Sequence, residues 1–323
     1  MALNHTGALA VRHALIGGLG DVVRSPALII AAVVAMLAIA VPFGAVLGVR
    51  LQHSLAHRQP VAQGATEIDA DWWQEFTERA DGIDATLTPS IIGFAAPLDN
   101  LSSLLDGTHR PLILMVPVAI AMVAWAFVWA AALERFAHGR QGAGIWRAGT
   151  RMLAPYMAIS VLAAAAVLAL YYTVHPLLFG VLGDRLRMSV VDEQISFAFR
   201  FLLYVIFGFL LVAISVVADY ARVRLALSPR LATTSAIAES WRFVRRNAAS
   251  VFALYLAAGL LFMVPLAAYG AIDVAGGVDV GGWRGIVIAQ AYIVARIVVR
   301  LSFAASELRL YRALAPGEGA AAS

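Results

Sequence analysis

Six stretches of mostly apolar residues decide what this chain can become. A hydrocarbon core of about 30 Å is crossed by roughly 20 residues of helix. Runs of that order lie at Ala27 to Val49, Pro111 to Leu133, Leu153 to Val174, Phe197 to Ala218, Ala249 to Tyr269 and about Gly282 to Val299. Lipid offers backbone groups no partners, so strands of this length would need a closed barrel and helices are the form expected. The sequence therefore predicts an all-α integral membrane protein, a single membrane domain over 1–323 with six transmembrane helices. Charged residues make up 14% of the chain, against about 25% in soluble domains. The first run is longer than the apolar core of a cleavable signal and reads as a retained span. Pro42, Pro117 and Pro265 fall inside runs, where kinks are expected.

Arginine placement sets the expected orientation, since cytoplasmic loops carry the basic excess. With the N-terminus inside, the cytoplasmic segments hold 14 of the 24 arginines and the opposite side holds seven. Three more, Arg200, Arg296 and Arg300, lie in or at the ends of spans. Acids run the other way, 14 outside and six inside. Both termini are thus expected in the cytoplasm. The pI of 9.7 reflects this topology; the arginines form no soluble basic domain, so no nucleic-acid partner is implied. Lysine is absent altogether, which reads as codon bias. Cysteine is absent too, which removes disulfides, thiolate metal sites and a cysteine nucleophile.

Each inward-to-outward span is preceded by a short amphipathic stretch. Before the fifth, Ser228 can cap a helix over 229–246 with Pro229 at its first position; Ile237, Trp241 and Val244 share one face. Leu15, Leu19 and Val22 repeat that spacing before the first span. Before the third, Trp146, Arg147 and Arg151 match Trp241, Arg242 and Arg246 at a constant offset. The pattern reads as three repeats of interfacial helix plus two spans, although any basic helix feeding a span shares its general features. Such helices would lie in the headgroup layer, anchored by Trp146 and Trp241.

The outer loop 50–110 is the sizeable segment between spans, and it is acidic. Trp72 and Trp73 follow Asp71 on a short helix and read as interfacial anchors, or as part of a lid over an outward cavity. The run from Pro89 to Ala96 is apolar but too short to span, as in a re-entrant segment. His53 and His57 stand four apart, a spacing that can chelate metal. Nothing fixes a third ligand, and a solvated helix end explains the pair as well. No metal and no cofactor is expected. His175-Pro176 reads as a helix stop.

Arg296 and Arg300 are the most informative charges. They share a face of the sixth span with Tyr292, Phe303 and Glu307. An arginine at a helix centre costs about 2.5–3.5 kcal/mol on an insertion scale, so two make this span marginal by itself. Two readings stand: the guanidiniums face the bundle interior as a pathway or binding site, or they snorkel to the cytoplasmic headgroups. Asp219 and Glu134 are the available counter-charges. Asp219 could pair with Arg222, three residues on; the expectation is instead that it crosses helices to Arg296 or Arg300, since each would otherwise be a poorly compensated charge near hydrocarbon.

The chain has no phosphate-binding glycine loop, no H-E-x-x-H and no G-x-S-x-G nucleophile elbow. The spans hold Ser160, Ser215 and Ser250 but no histidine and no acid beyond their edges, so no catalytic residue is assigned. Asp71-Trp72-Trp73-Gln74-Glu75-Phe76, the Pro89 to Ala96 run, His175-Pro176-Leu177-Leu178-Phe179 and Asp219-Tyr220-Ala221-Arg222-Val223-Arg224 resemble a family of uncharacterised bacterial polytopic membrane proteins. That resemblance covers residues from about 10 to 312, and it implies a six-span fold in the bacterial inner membrane. A looser likeness of pattern is to the membrane domain attached to some glycerophosphodiester phosphodiesterases, whose catalytic domain this chain lacks. The expected function is non-enzymatic: a permease-like or channel-like bundle taking an anionic solute or lipid headgroup, or an assembly scaffold. The alternative is an enzyme acting on lipid-linked substrates at the outer surface through Glu75, Asp81 or Asp84.

Overall fold

The computed structural model describes residues 5–55, 70–86, 95–107, 112–139, 144–185, 192–276 and 282–315. All regular structure among them is helical, and six helices are long and apolar enough to cross a membrane. These are α2 (Pro26–Leu55), α5 (Met115–His138), α6 (Ile145–His175), α7 (Glu193–Leu227), α9 (Ala248–Val274) and α10 (Trp283–Leu314). Four shorter helices complete the set: α1 (His5–Val23), α3 (Ala70–Arg79), α4 (Ala95–Asp106) and α8 (Thr233–Arg246).

Helix starts pack on helix ends, as alternate threading requires. Leu28 and Ala32 near the start of α2 meet Val128, Ala131 and Ala132 near the end of α5 and Ile297 and Leu301 of α10. Tyr156, early in α6, donates its hydroxyl proton to the Arg222 carbonyl late in α7, at 2.9 Å. The buried residues concentrate at this shared end, which also carries α1, α8 and most of the described arginines. The membrane-facing flanks stay apolar and exposed, as at Val34, Val161, Phe201 and Leu260.

Helix α10 is central. It touches α1, α2, α5, α7 and α9, and it continues well past the expected end of the sixth span, to Leu314. Over that extension α1 runs antiparallel along it. Ala14 and Leu310 share one buried cluster, and Val22 and Leu301 share another. The approach is close because Gly18 has no side chain: a Cβ there would run into the Ser306 hydroxyl and sit 2.7 Å from the Ser302 carbonyl oxygen. Asp21 then accepts two hydrogen bonds from Arg309, at 2.7 and 2.8 Å.

Local chemistry moves several expected boundaries. Ser228 ends α7 instead of opening a helix at Pro229. Its hydroxyl takes a hydrogen bond from Arg224 at 3.2 Å, its carbonyl closes a turn with the Leu231 N–H, and α8 begins at Thr233. His175-Pro176 is no stop, because Pro176–Leu182 stays helical with π-type geometry; the widened turn relieves the clash a proline ring makes with a preceding carbonyl. Pro117 lies in the first turn of α5, where its missing N–H leaves no bond unmade, whereas Pro42, Pro155 and Pro265 are interior. Two of the three leading segments, α1 and α8, are separate helices. The third, with Trp146 and Arg151, is the first two turns of α6 itself. Both separate helices bury an apolar face on protein: Ala236, Phe243 and Val244 of α8 pack with Tyr220 and Tyr311.

Gly18→Ala tests the α1–α10 contact. Overpacking of this kind costs about 1–3 kcal/mol, so the unfolding midpoint in detergent should fall. Gly20→Ala, whose Cβ meets nothing within 4 Å, should change stability by less than about 0.5 kcal/mol. Equal effects from the two would show that α1 does not seat on α10.

Candidate functional site

Arg296 and Arg300 stand one helical turn apart on α10, so their side chains follow one line along it. They form the floor of a groove of about 620 Å³. Met36, Leu37 and Ala40 of α2 make one wall, Ala258, Gly259 and Phe262 of α9 the other, and Trp125 of α5 and Tyr255 of α9 close its ends. A Cβ on Gly259 would meet nothing within 4 Å, so that wall stands clear of any neighbour. Both arginines are exposed in the groove.

Aromatic faces hold the guanidiniums. Arg300 lies over the Trp125 ring, 3.9 Å from its centroid, and 5.8 Å from that of Trp129. Arg296 is 5.2 Å from the Phe262 centroid and 5.4 Å from that of Tyr292. The negative face of each ring attracts the cation without consuming its N–H donors. Among the described residues no carboxylate lies within 4.0 Å of either guanidinium.

Asp219 takes neither arginine. It pairs with Arg222 on its own helix at 2.5 Å, so the proposed crossing to Arg296 or Arg300 is not formed. A three-residue helical spacing puts the partners face to face without bending either helix. Arg222 reaches on to the Ser160 hydroxyl of α6 at 3.1 Å. The second Asp219 oxygen is 2.9 Å from the Tyr255 hydroxyl, which is also 2.7 Å from Glu307 Oε1. Glu307 is buried. Tyr255 thus has one side on the groove and the other on two carboxyls. Glu134, the other counter-charge, pairs with Arg151 at 3.0 Å and lies 3.6 Å from His138.

The expected anchors differ in setting. Trp146 and Trp241 are largely exposed, the first against Phe127 and the second beside Ile237 on an apolar flank of α6 and α7. Trp72 and Trp73 are half-buried on α3, where Trp72 stacks on Phe76 and donates from Nε1 to the Ser54 hydroxyl at 3.2 Å. Two of the loop acids are paired with basic groups: Glu75 with Arg79 at 2.9 Å, and Asp84 with Arg50 at 3.9 Å. His57, Glu67, Asp69 and Pro89 to Phe94 fall outside the described residues, and among those described no three His, Asp or Glu residues group as a metal site.

A second cavity, of about 400 Å³, lies at the opposite end between α4, α6 and α7. Asp106 is already engaged there, by the Tyr204 hydroxyl at 2.5 Å and the Ser102 hydroxyl at 3.0 Å. Tyr171 donates to the Leu104 carbonyl.

Of the residues singled out in the sequence, Arg296 and Arg300 line the groove, Tyr292 lies against Arg296, and Asp219 stands behind Tyr255 outside the lining; Tyr255, Trp125 and the Ser160 contact had not been singled out. One signal was available: Trp125 and Trp129 are spaced four apart on α5, as are Arg296 and Arg300 on α10. Tyr255 had none, since its role comes from two helices meeting it. No family model, curated protein or solved structure matches the chain.

Arg222→Met leaves Asp219 without its cation and should cost about 3–5 kcal/mol, because one charge of a largely buried pair is stranded. Adding Asp219→Asn should recover most of that loss in denaturation measurements. A double variant no more stable than the single would mean the pair contributes nothing to the bundle.

Proposed function

We propose that this chain is a non-enzymatic, multi-pass protein of the bacterial inner membrane that receives an anionic group in the groove over α10. Both termini lie in the cytoplasm in this reading, with the arginine-rich end inward and Trp72, Trp73, Trp146 and Trp241 at the two interfaces. The observation that carries the reading is the pair of guanidiniums in one groove with, among the described residues, no carboxylate within 4.0 Å of either.

The energetics point the same way. Placing an arginine near the helix centre costs about 2.5–3.5 kcal/mol. Cation–π contacts at exposed sites return about 0.5–1 kcal/mol each and so only part of that cost, and among the described residues no carboxylate takes the guanidinium N–H donors, which an anion's oxygens would fill. The groove is lined by α2 and α9 on either side of α10, and in this reading an amphiphile enters from the bilayer between them with its chain along Met36, Leu37 and Phe262. The binding group is a sulfate- or phosphate-like oxyanion; its source is either a lipid headgroup or a free ion.

Calorimetric titration of the full chain in neutral-lipid nanodiscs separates the two. Octyl sulfate should bind, inorganic sulfate should bind more weakly, and Arg296→Ala with Arg300→Ala should weaken octyl sulfate at least about tenfold, each bidentate contact being worth more than 1.4 kcal/mol. Inorganic sulfate binding equally well would assign the site to a free anion. Unchanged octyl sulfate binding in the double variant would overturn the groove. In cells, alanine at Glu75, Asp81 and Asp84 should still complement a deletion strain; failure there, with Arg296→Ala tolerated, would favour the enzyme reading.

A further inference from the structure

Behind the groove, the hydrogen count around Tyr255 does not close with two ionised carboxyls. A phenol has one proton to donate and otherwise accepts. Yet the Tyr255 oxygen lies 2.9 Å from Asp219 Oδ2 and 2.7 Å from Glu307 Oε1. Only one of those contacts can be the tyrosine's own donation. The other is a hydrogen bond only if the carboxyl carries the proton. Asp219 is the ionised partner, since its other oxygen takes the Arg222 guanidinium at 2.5 Å. Glu307 is 3% exposed, and among the described residues no basic nitrogen lies within 4.0 Å of it. The arrangement that makes both Tyr255 contacts hydrogen bonds is a chain: Glu307 donates to the Tyr255 oxygen, Tyr255 donates to Asp219, and Asp219 accepts from Arg222.

We propose that Glu307 is a proton-binding site whose occupancy is linked to anion binding in the Arg296–Arg300 groove, so that the protein takes an anion and a proton together. The inference rests on the groove reading of the preceding subsection. Tyr255 is the shared element, lining the groove with one face and bridging both carboxyls with its hydroxyl. The charges that face Glu307 are few. From α7 come Asp219 and Arg222, with the Tyr220 ring nearby; from α9 comes Tyr255; from α10 itself, Arg300, within the field of Asp219. On α1, Asp21 is engaged by Arg309; on α5, Glu134 is engaged by Arg151; the groove-lining residues of α2 carry no charge. With Glu307 neutral, the two groove arginines and the Asp219–Arg222 pair sum to an excess of positive charge. Loss of the Glu307 proton puts a negative charge behind Arg300 and offsets it. An anion therefore favours the protonated form, and by reciprocity the proton favours the anion. The sign follows: anion affinity is highest at low pH and falls as pH rises through the titration of Glu307, by at most about tenfold per pH unit for one proton.

Two measurements test this. Octyl sulfate, whose headgroup stays ionised throughout, is titrated into nanodisc-embedded wild-type and Glu307→Gln chains from about pH 5 to pH 9, the range over which a displaced carboxyl would titrate. Wild-type affinity should fall with rising pH, while Glu307→Gln, which stays neutral and keeps a donor toward Tyr255, should hold its low-pH affinity throughout. A flat wild-type profile, or the same slope in both chains, overturns the linkage. Weakening by Arg296→Ala with Arg300→Ala in that same titration keeps the groove intact when only the proton fails; no weakening overturns both. The second measurement needs neither ligand nor variant. Infrared spectra of the chain carrying isotopically labelled glutamate should show, at neutral pH, the carbonyl stretch of a protonated glutamic acid. Its absence would overturn the proton assignment even if Glu307→Gln does not fold.

Discussion

A guanidinium on a long apolar helix needs compensation, and on α10 aromatic rings supply it. An apolar sixth span could sit anywhere against the other five. One bearing Arg296 and Arg300 needs aromatic faces within reach, and Trp125 of α5 and Phe262 of α9 supply them. Helix α10 also stands at the centre, where it touches both halves of the chain. Compensation by rings leaves a groove, because rings stack over a cation without enclosing its donors.

The end that carries the buried core keeps α10 in that position. Close approach at Gly18 locks α1 along the extension beyond the span, and the Asp21–Arg309 pair fixes the register. On the other side, α7 and α8 bury Tyr220 and Phe243 against Tyr311. Acids and bases there are arranged as neighbours on one or two helices: Asp219 with Arg222, Arg224 with Glu239, Glu134 with Arg151. Each basic group so engaged is unavailable to a ligand. Arg296 and Arg300 differ in lying against rings, with no carboxylate within 4.0 Å among the described residues.

Much of this was readable in the chain before any coordinates. Length and hydropathy fixed the six spans, because the bilayer imposes one scale on every helix. Arg296 and Arg300 stood out by a related logic, since a charge in or beside a span is anomalous wherever it occurs. What stayed hidden depends on pairs of helices. The pairing of Asp219 with Arg222 is local and legible as a three-residue spacing; that α7 does not carry Asp219 to within 4.0 Å of Arg300 depends on how α7 lies against α10, which no local pattern encodes. Tyr255 looks like any interior tyrosine until α7 and α10 bring a carboxyl to it from each side. The breaks were harder still: Ser228-Pro229 has the residues of a helix start, yet Arg224 reaches forward to make it an end. At His175-Pro176 a widened turn accommodates a proline that elsewhere stops a helix.

The most direct measurement concerns where the groove opens. The chain has no cysteine of its own, so spin labels at Met36→Cys and Gly259→Cys report the two walls cleanly. Collision with oxygen, which concentrates in lipid, is compared with collision with a water-soluble nickel chelate. Both labels should meet oxygen far more often than the chelate, and both should lose mobility when octyl sulfate enters. Labels shielded from both reagents would mean a closed seam with arginines that serve the fold alone. Free access by the chelate would mean a water-filled passage and would contradict an entry from the bilayer.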